Sequence, residues 1–151
     1  MSTLIDRAHV TLDKLTPAQR SALMRTIRKT NTRPEMVVRR LAHALGLRFR
    51  LHRRDLPGTP DLVLPRRRAV VMVHGCFWHQ HNGCQLARKP RSRLDYWLPK
   101  LDRNQARDAE ARERLEADGW RVVVIWECES KDAELVTARL RPLLEEAHPA
   151  R

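Results

Sequence analysis

Apolar positions along this 151-residue chain keep two different spacings, and the changes between them mark its elements. Val37, Val38, Leu41, Ala42 and Leu45 recur at the spacing of one helix face. Thr32-Arg33-Pro34-Glu35 ahead of them is a capping signature, and Gly46 is placed to stop the helix. Thr16-Pro17-Ala18-Gln19 carries the same signature and predicts a helix through about Lys29, with Leu23, Met24 and Ile27 on one side. Much of the rest of that helix is Arg20, Arg25, Arg28 and Lys29, a surface able to lie along a phosphate backbone. From Leu47 to Arg53 the pattern becomes alternation, with Leu47, Phe49 and Leu51 on one face, which reads as a strand. Turn residues Asp55 to Pro60 follow, and Pro60-Asp61 opens a short strand, Leu62 to Leu64. Ala69 to Val73 is a continuous apolar run suited to a central strand. The basic turn Pro65 to Arg68 joins those two strands, so Asp61 and His74 are expected to meet at one end of a hairpin. Leu101 to Asp118 reads as a long charged helix, with Ala106, Ala109 and Leu115 inward and Gly119 closing it. Trp120 to Trp126 is a further buried strand that takes both tryptophans into the core, and Asp132 to Glu146 is a last amphipathic helix.

The order is helix, helix, strand, strand, strand, helix, strand, helix. That predicts an α/β fold with a mixed central sheet flanked by helices, in one domain over residues 16–148. Residues 1–15 carry little pattern and read as a loosely ordered arm. No apolar run approaches 18 residues, and the N-terminus lacks the build of a signal peptide, so a cytoplasmic protein with no membrane partner is expected. Lys and Arg number 30 against 18 Asp and Glu, a net charge of +12 that favours polyanions. A merely solubilising surface is the plainer reading. With no basic helix carrying a wide apolar face, nucleic acid is favoured over a membrane.

Candidate chemistry is concentrated in Val70 to Cys84, VVMVHGCFWHQHNGC. Cys76, His81, Cys84 and the distant Cys128 make a Cys3His set that uses every thiol in the chain. Four such ligands suit tetrahedral Zn²⁺ in a closed, structural site; the alternative is three ordinary buried thiols. His74 and His79 are left over, near Asp61, and suggest a second site for a harder cation such as Mg²⁺. There a histidine can take a proton from attacking water or assist the leaving group. Glu35 is either a capping carboxylate or free to orient a neighbouring histidine. Phe77, Trp78 and Trp97 are either core or a rigid aromatic wedge for unstacking base pairs.

The run LPGTPDLVLPRRRAVVMVHGCFWHQHNGC, the stretches around Tyr96-Trp97 and Asn104-Gln105-Ala106-Arg107-Asp108, and GWRVVVIWEC resemble the very short patch repair (Vsr) DNA mismatch endonucleases. The resemblance spans about Leu23 to Cys128. It implies a restriction-endonuclease-like core of the PD-(D/E)XK type with a structural zinc site, and an Mg²⁺-dependent nick 5′ to the thymine of a T:G mismatch left by deamination of 5-methylcytosine. By position, Asp61 matches the metal-binding aspartate and Val73 the residue whose carbonyl is the second protein ligand. His79 matches the proposed general base, with Glu35 as its supporting carboxylate, and His74 a second histidine near the scissile phosphate. Cys76, His81, Cys84 and Cys128 match the zinc ligands, and Phe77, Trp78 and Trp97 the wedge. The best-known member has threonine at Val73, a change that spares a carbonyl ligand, and the zinc loop here is one residue longer at Asn82-Gly83.

The resemblance also implies double-stranded DNA as partner, a functional link to a cytosine-5 methyltransferase and to downstream repair proteins, and a monomer as sufficient for one nick. A sequence-specific nicking or restriction endonuclease on the same scaffold, and a zinc-stabilised DNA-binding module without catalysis, are the competing readings.

Overall fold

The structure, a computed structural model, describes residues 14–27 and 30–145. The arm expected over residues 1–15 falls almost wholly outside these, as do Arg28, Lys29 and the tail after Glu145. Helix α1 spans Pro17–Thr26, α2 Arg33–Ala44, α3 Leu94–Ala117 and α4 Ala133–Leu140. Strands β1 (Arg50–Leu51), β2 (Leu62–Leu64), β3 (Ala69–His74) and β4 (Arg121–Trp126) form one mixed sheet in the order β1-β2-β3-β4. Pairing is antiparallel from β1 to β2 and from β2 to β3, then parallel from β3 to β4. A parallel pair needs a long crossover, which α3 and the loop before it supply.

Both faces of β3 are covered, which is why its sequence runs apolar without alternation. Ala69 and Val71 face a cluster with Val38 and Ala42 of α2 and Val136 and Leu140 of α4. Val70 and Met72 face Ala111 and Leu115 of α3 and Trp120. Burying Val70 and Val71 completely is worth about 1.5–3 kcal/mol for each side chain.

Three elements depart from their expected boundaries. The strand expected over residues 47–53 shrinks to Arg50–Leu51, because Gly46 (φ +88°) and His52 (φ +46°) break the extended backbone on either side, and Leu51 is exposed. The long helix begins at Leu94 rather than Leu101 and runs through Pro99, its first turns held by burial of Trp97 and Leu101. Its inward face is Leu101, Ala111 and Leu115, whereas Ala106 and Ala109 are exposed. The last helix ends at Leu140 and tightens into a 3-10 turn over Arg141–Leu144, since Pro142 can neither donate nor leave room for the carbonyl a turn earlier.

The LPGTPD turn is seated directly against α3. Gly58 has φ +72°, and a Cβ there would stand 2.8 Å from Ala111 Cβ and 3.2 Å from Met72 Cε. Only glycine meets both demands, and the close approach positions Asp61 at the mouth of β2.

Candidate active site

Asp61 directly precedes β2, and the hairpin register sets Leu62 opposite Val71. That brings the Asp61 carboxylate to the far end of β3, where its Oδ2 accepts the Val73 N–H at 2.6 Å. Burial pushes the Asp61 carboxyl up to about 7; the Val73 N–H opposes that shift and the nearby Glu35 charge adds to it. Glu35, buried in the first turn of α2, accepts from Asn31 N–H at 2.9 Å and from Arg39 Nη2 at 3.1 Å through its Oε2. The same oxygen stands 3.2 Å from His52 Nε2, which in turn lies 3.7 Å from Asp61 Oδ1. Glu35, His52 and Asp61 thus converge ligand-capable atoms within 4.8 Å of one another. A desolvated carboxylate that holds its proton this tightly, beside a second carboxylate, is a donor set that fits a divalent cation.

His74 closes β3 and stacks on His79, ring centroids 3.9 Å apart and 5° from parallel. The edge of Trp126 covers His74 from β4. Burial first, and then the positive charge of His79, depress His74 to about 4, so it is neutral at pH 7. His79 lies in the turn after β3, its N–H bonded to Gly75 O at 3.1 Å. Its Nδ1–H donates to Asp108 Oδ2 on α3 at 2.5 Å. This leaves Nε2 as the basic ring nitrogen. The carboxylate against His79 is therefore Asp108; Glu35 is instead engaged with His52, Arg39 and Asn31.

Cys76, His81, Cys84 and Cys128 form a third group whose ligand atoms all lie within 4.8 Å. His81 Nδ1 is 3.6 Å from Cys76 Sγ and 3.4 Å from Cys128 Sγ. The S–N edge of a tetrahedral zinc site is about 3.6 Å at ordinary bond lengths, so the spacing fits that ion. Burial raises the Cys76 and Cys128 thiols, the penalty a bound dication relieves. Parallel pairing of β4 with β3 delivers Cys128 here. Trp126 is only half buried; it stacks on the His81 ring at 4.2 Å and so braces this group rather than filling the core.

The aromatic set is packed in this conformation. Phe77 and Trp97, each 3 % exposed, join Leu101, with Met24, Trp78 and Tyr96 around them. Ring centroids are 4.9 Å apart for Phe77–Trp78 and 5.5 Å for Phe77–Trp97. Helix α1 lies on the group, its Arg20 guanidinium 4.7 Å above the Tyr96 ring.

Two residues of the candidate site escaped the pattern reading. Asp108 had a signal: Asn104 and Asp108 stand four apart on α3, and Asn104 Nδ2 bonds Trp78 O at 3.1 Å while Asp108 holds His79. A polar pair at that spacing on a helix face is placed to meet one loop. His52 had none, because its position depends on a left-handed backbone at the end of β1.

A carboxylate at the mouth of the hairpin, a stacked histidine pair and a four-ligand cluster stand at one end of a mixed sheet; by its relatives, the chain is an endodeoxyribonuclease. The profile of the DNA mismatch endonuclease Vsr family matches residues 12–86. The chain is 56% identical over 133 residues to the type II nicking enzyme V.XorIIP of Xanthomonas oryzae pv. oryzae, covering 88% of this chain and 97% of that one. It is 41% identical over 120 residues to the DNA mismatch endonuclease Vsr of Escherichia coli, covering 80% and 76%. With the type II nicking enzyme V.NmeAIP of Neisseria meningitidis the identity is 38% over 138 residues, covering 91% and 98%. The chain belongs to the Vsr endonuclease family.

Proposed function

We propose that this endonuclease nicks one strand of double-stranded DNA 5′ to the thymine of a T:G mismatch, the lesion left when 5-methylcytosine deaminates. The convergence of Asp61, His74 and the His79–Asp108 pair at one end of the hairpin supports strand hydrolysis, and the likeness to the mismatch endonuclease of Escherichia coli supports the mismatch as its target. Asp61 and the Val73 carbonyl would hold Mg²⁺, which would supply positive charge against the negative charge that develops on the scissile phosphate. His79 accepts the proton of the attacking water at Nε2, while Asp108 fixes its tautomer and orientation. His74, kept neutral by burial, offers a hydrogen bond to the phosphate without adding charge. Cys76, His81, Cys84 and Cys128 would hold a structural Zn²⁺ that pins the loop carrying His79 to the end of β4. Phe77, Trp78 and Trp97 would leave their cluster to enter the duplex, at a cost of a few kcal/mol per unstacked step that is smallest at a mismatch.

The names of the two nicking enzymes favour a second reading, cleavage at a fully paired recognition sequence. A duplex labelled on each strand, with one T:G mismatch, and its paired twin separate the two. Nicking of the thymine strand in the mismatched duplex alone, dependent on Mg²⁺, is expected; equal cutting of both duplexes would establish the second reading. In this reading the enzyme acts as a cytoplasmic monomer, alongside a cytosine-5 methyltransferase and the repair proteins that process the nick.

A further inference from the structure

We propose that His52 is a nitrogen ligand of the cation held by Asp61, which makes this a mixed oxygen–nitrogen site that takes Mn²⁺ in preference to Mg²⁺. The inference rests on the reading of Asp61 as the metal carboxylate and adds to it a third donor and a metal preference. His52 Nε2 stands 3.7 Å from Asp61 Oδ1 and 3.2 Å from Glu35 Oε2. Neighbouring ligands about 2.1 Å from a shared octahedral cation are roughly 3 Å apart, so a small inward shift closes all three around one ion. Asp61 Oδ2 is already committed to the Val73 N–H, which turns Oδ1 toward the imidazole. Arg39 balances the Glu35 charge at 3.1 Å, so Glu35 is a weaker donor beside Asp61, the Val73 carbonyl and His52.

The backbone makes an independent case. His52 has φ +46°, in the left-handed region that non-glycine residues rarely occupy, and it is tied there by its N–H to Asp61 O at 3.4 Å. Strain of this kind gathers where a side chain must be aimed. Here it turns the imidazole away from the edge of the sheet and into the corner between α2 and β2, leaving the side chain 21% exposed. As it stands against Glu35 at 3.2 Å, His52 donates its Nε2–H to the carboxylate. Ligation moves that proton to Nδ1 and presents the Nε2 lone pair. Mg²⁺ favours all-oxygen shells, whereas Mn²⁺ accepts imidazole with carboxylates.

The test is Mn²⁺ binding to the full chain with one equivalent of Zn²⁺ present. It is followed by electron paramagnetic resonance, with spin-echo modulation reporting ¹⁴N coupling and with Mg²⁺ as competitor. The wild type is expected to show imidazole ¹⁴N coupling. His52→Gln and His52→Asn are both expected to lose it, with Mn²⁺ affinity falling about 10–100-fold and the preference over Mg²⁺ collapsing. Asparagine tolerates positive φ, so the second variant keeps the backbone. Absence of ¹⁴N coupling in the wild type, or its survival with unchanged Mn²⁺ affinity in either variant, overturns the role of His52. Asp61→Asn separates the premise: wild-type Mn²⁺ binding in that variant would sink the reading of Asp61 itself, whereas loss there with no effect at His52 would sink only the present inference.

Discussion

The contact of Asp108 with His79 Nδ1 decides which nitrogen of that imidazole is basic. Replacing Asp108 by asparagine keeps the shape but presents either an amide donor or a weaker acceptor to Nδ1, so the imidazole loses its preferred tautomer. Asp108→Asn is expected to lower the single-turnover nicking rate on the order of 10²–10⁴-fold with duplex affinity unchanged, as measured by rapid quench beside a binding titration. His74 gives a prediction about pH. Its folded pKa, about 4, lies below the ordinary 6.5, so between these values the unfolded chain binds a proton that the folded chain refuses. Stability is therefore full above about pH 6.5 and is lost as pH falls through 4, by up to about 3 kcal/mol from this one residue. Urea unfolding at pH 4.5 and pH 7.5 checks this: His74→Gln should flatten the difference, and an unchanged difference would remove His74 as its source.

At the scale of elements, the contact of the LPGTPD turn with α3 matters more than its length suggests. Gly58→Ala must adopt a positive φ and push against Ala111 Cβ, and is expected to cost roughly 2–4 kcal/mol in denaturant unfolding. Ala111→Gly in the same chain should restore part of that loss by removing the clash. Elements built on continuous apolar periodicity were legible in the sequence: the hairpin from Leu62 to His74, β4, and α2 with its cap all stand where the pattern sets them. What pattern could not supply came from contacts between elements. Leu94 to Pro99 is helical because Trp97 and Leu101 are buried against Phe77, a partner about twenty residues away that no local spacing announces. The pairing of Asp108 with His79, and the turning of His52 toward Asp61, likewise arise only when α3 and β1 have docked. Residue types with few structural uses at a strand end, such as His74, Cys76 and His81, were readable for that reason; Glu35 was readable as a site residue but not as the partner of His52.

For the molecule as a whole, the basic residues behind the charge of +12 include some that hold the fold and some that face solvent near the site. Arg67 and Arg121 donate to the backbone carbonyls of Leu144 and Glu145, and Arg68 to that of Asp118 while its guanidinium lies 4.4 Å above Trp120. These cations fasten the C-terminal turns and the end of α3. Arg88, Lys89 and Arg91 are exposed on the loop before α3, close in sequence to the site. Removing Arg88 and Lys89 is expected to lower the slope of log affinity against log salt by about one for each lost phosphate contact. Arg121→Ala should lower the unfolding midpoint and leave that slope alone. The four-ligand cluster has a consequence for how the chain assembles. Three of its members lie in one loop and can gather as soon as that loop is made, but Cys128 is 47 residues beyond His81 and arrives only with β4. A cation caught early by the local three would thus wait for the last strand. Its fourth bond would then act as a latch, thrown only after the crossover helix has packed, making release of the completed fold slow even where its equilibrium stability is ordinary.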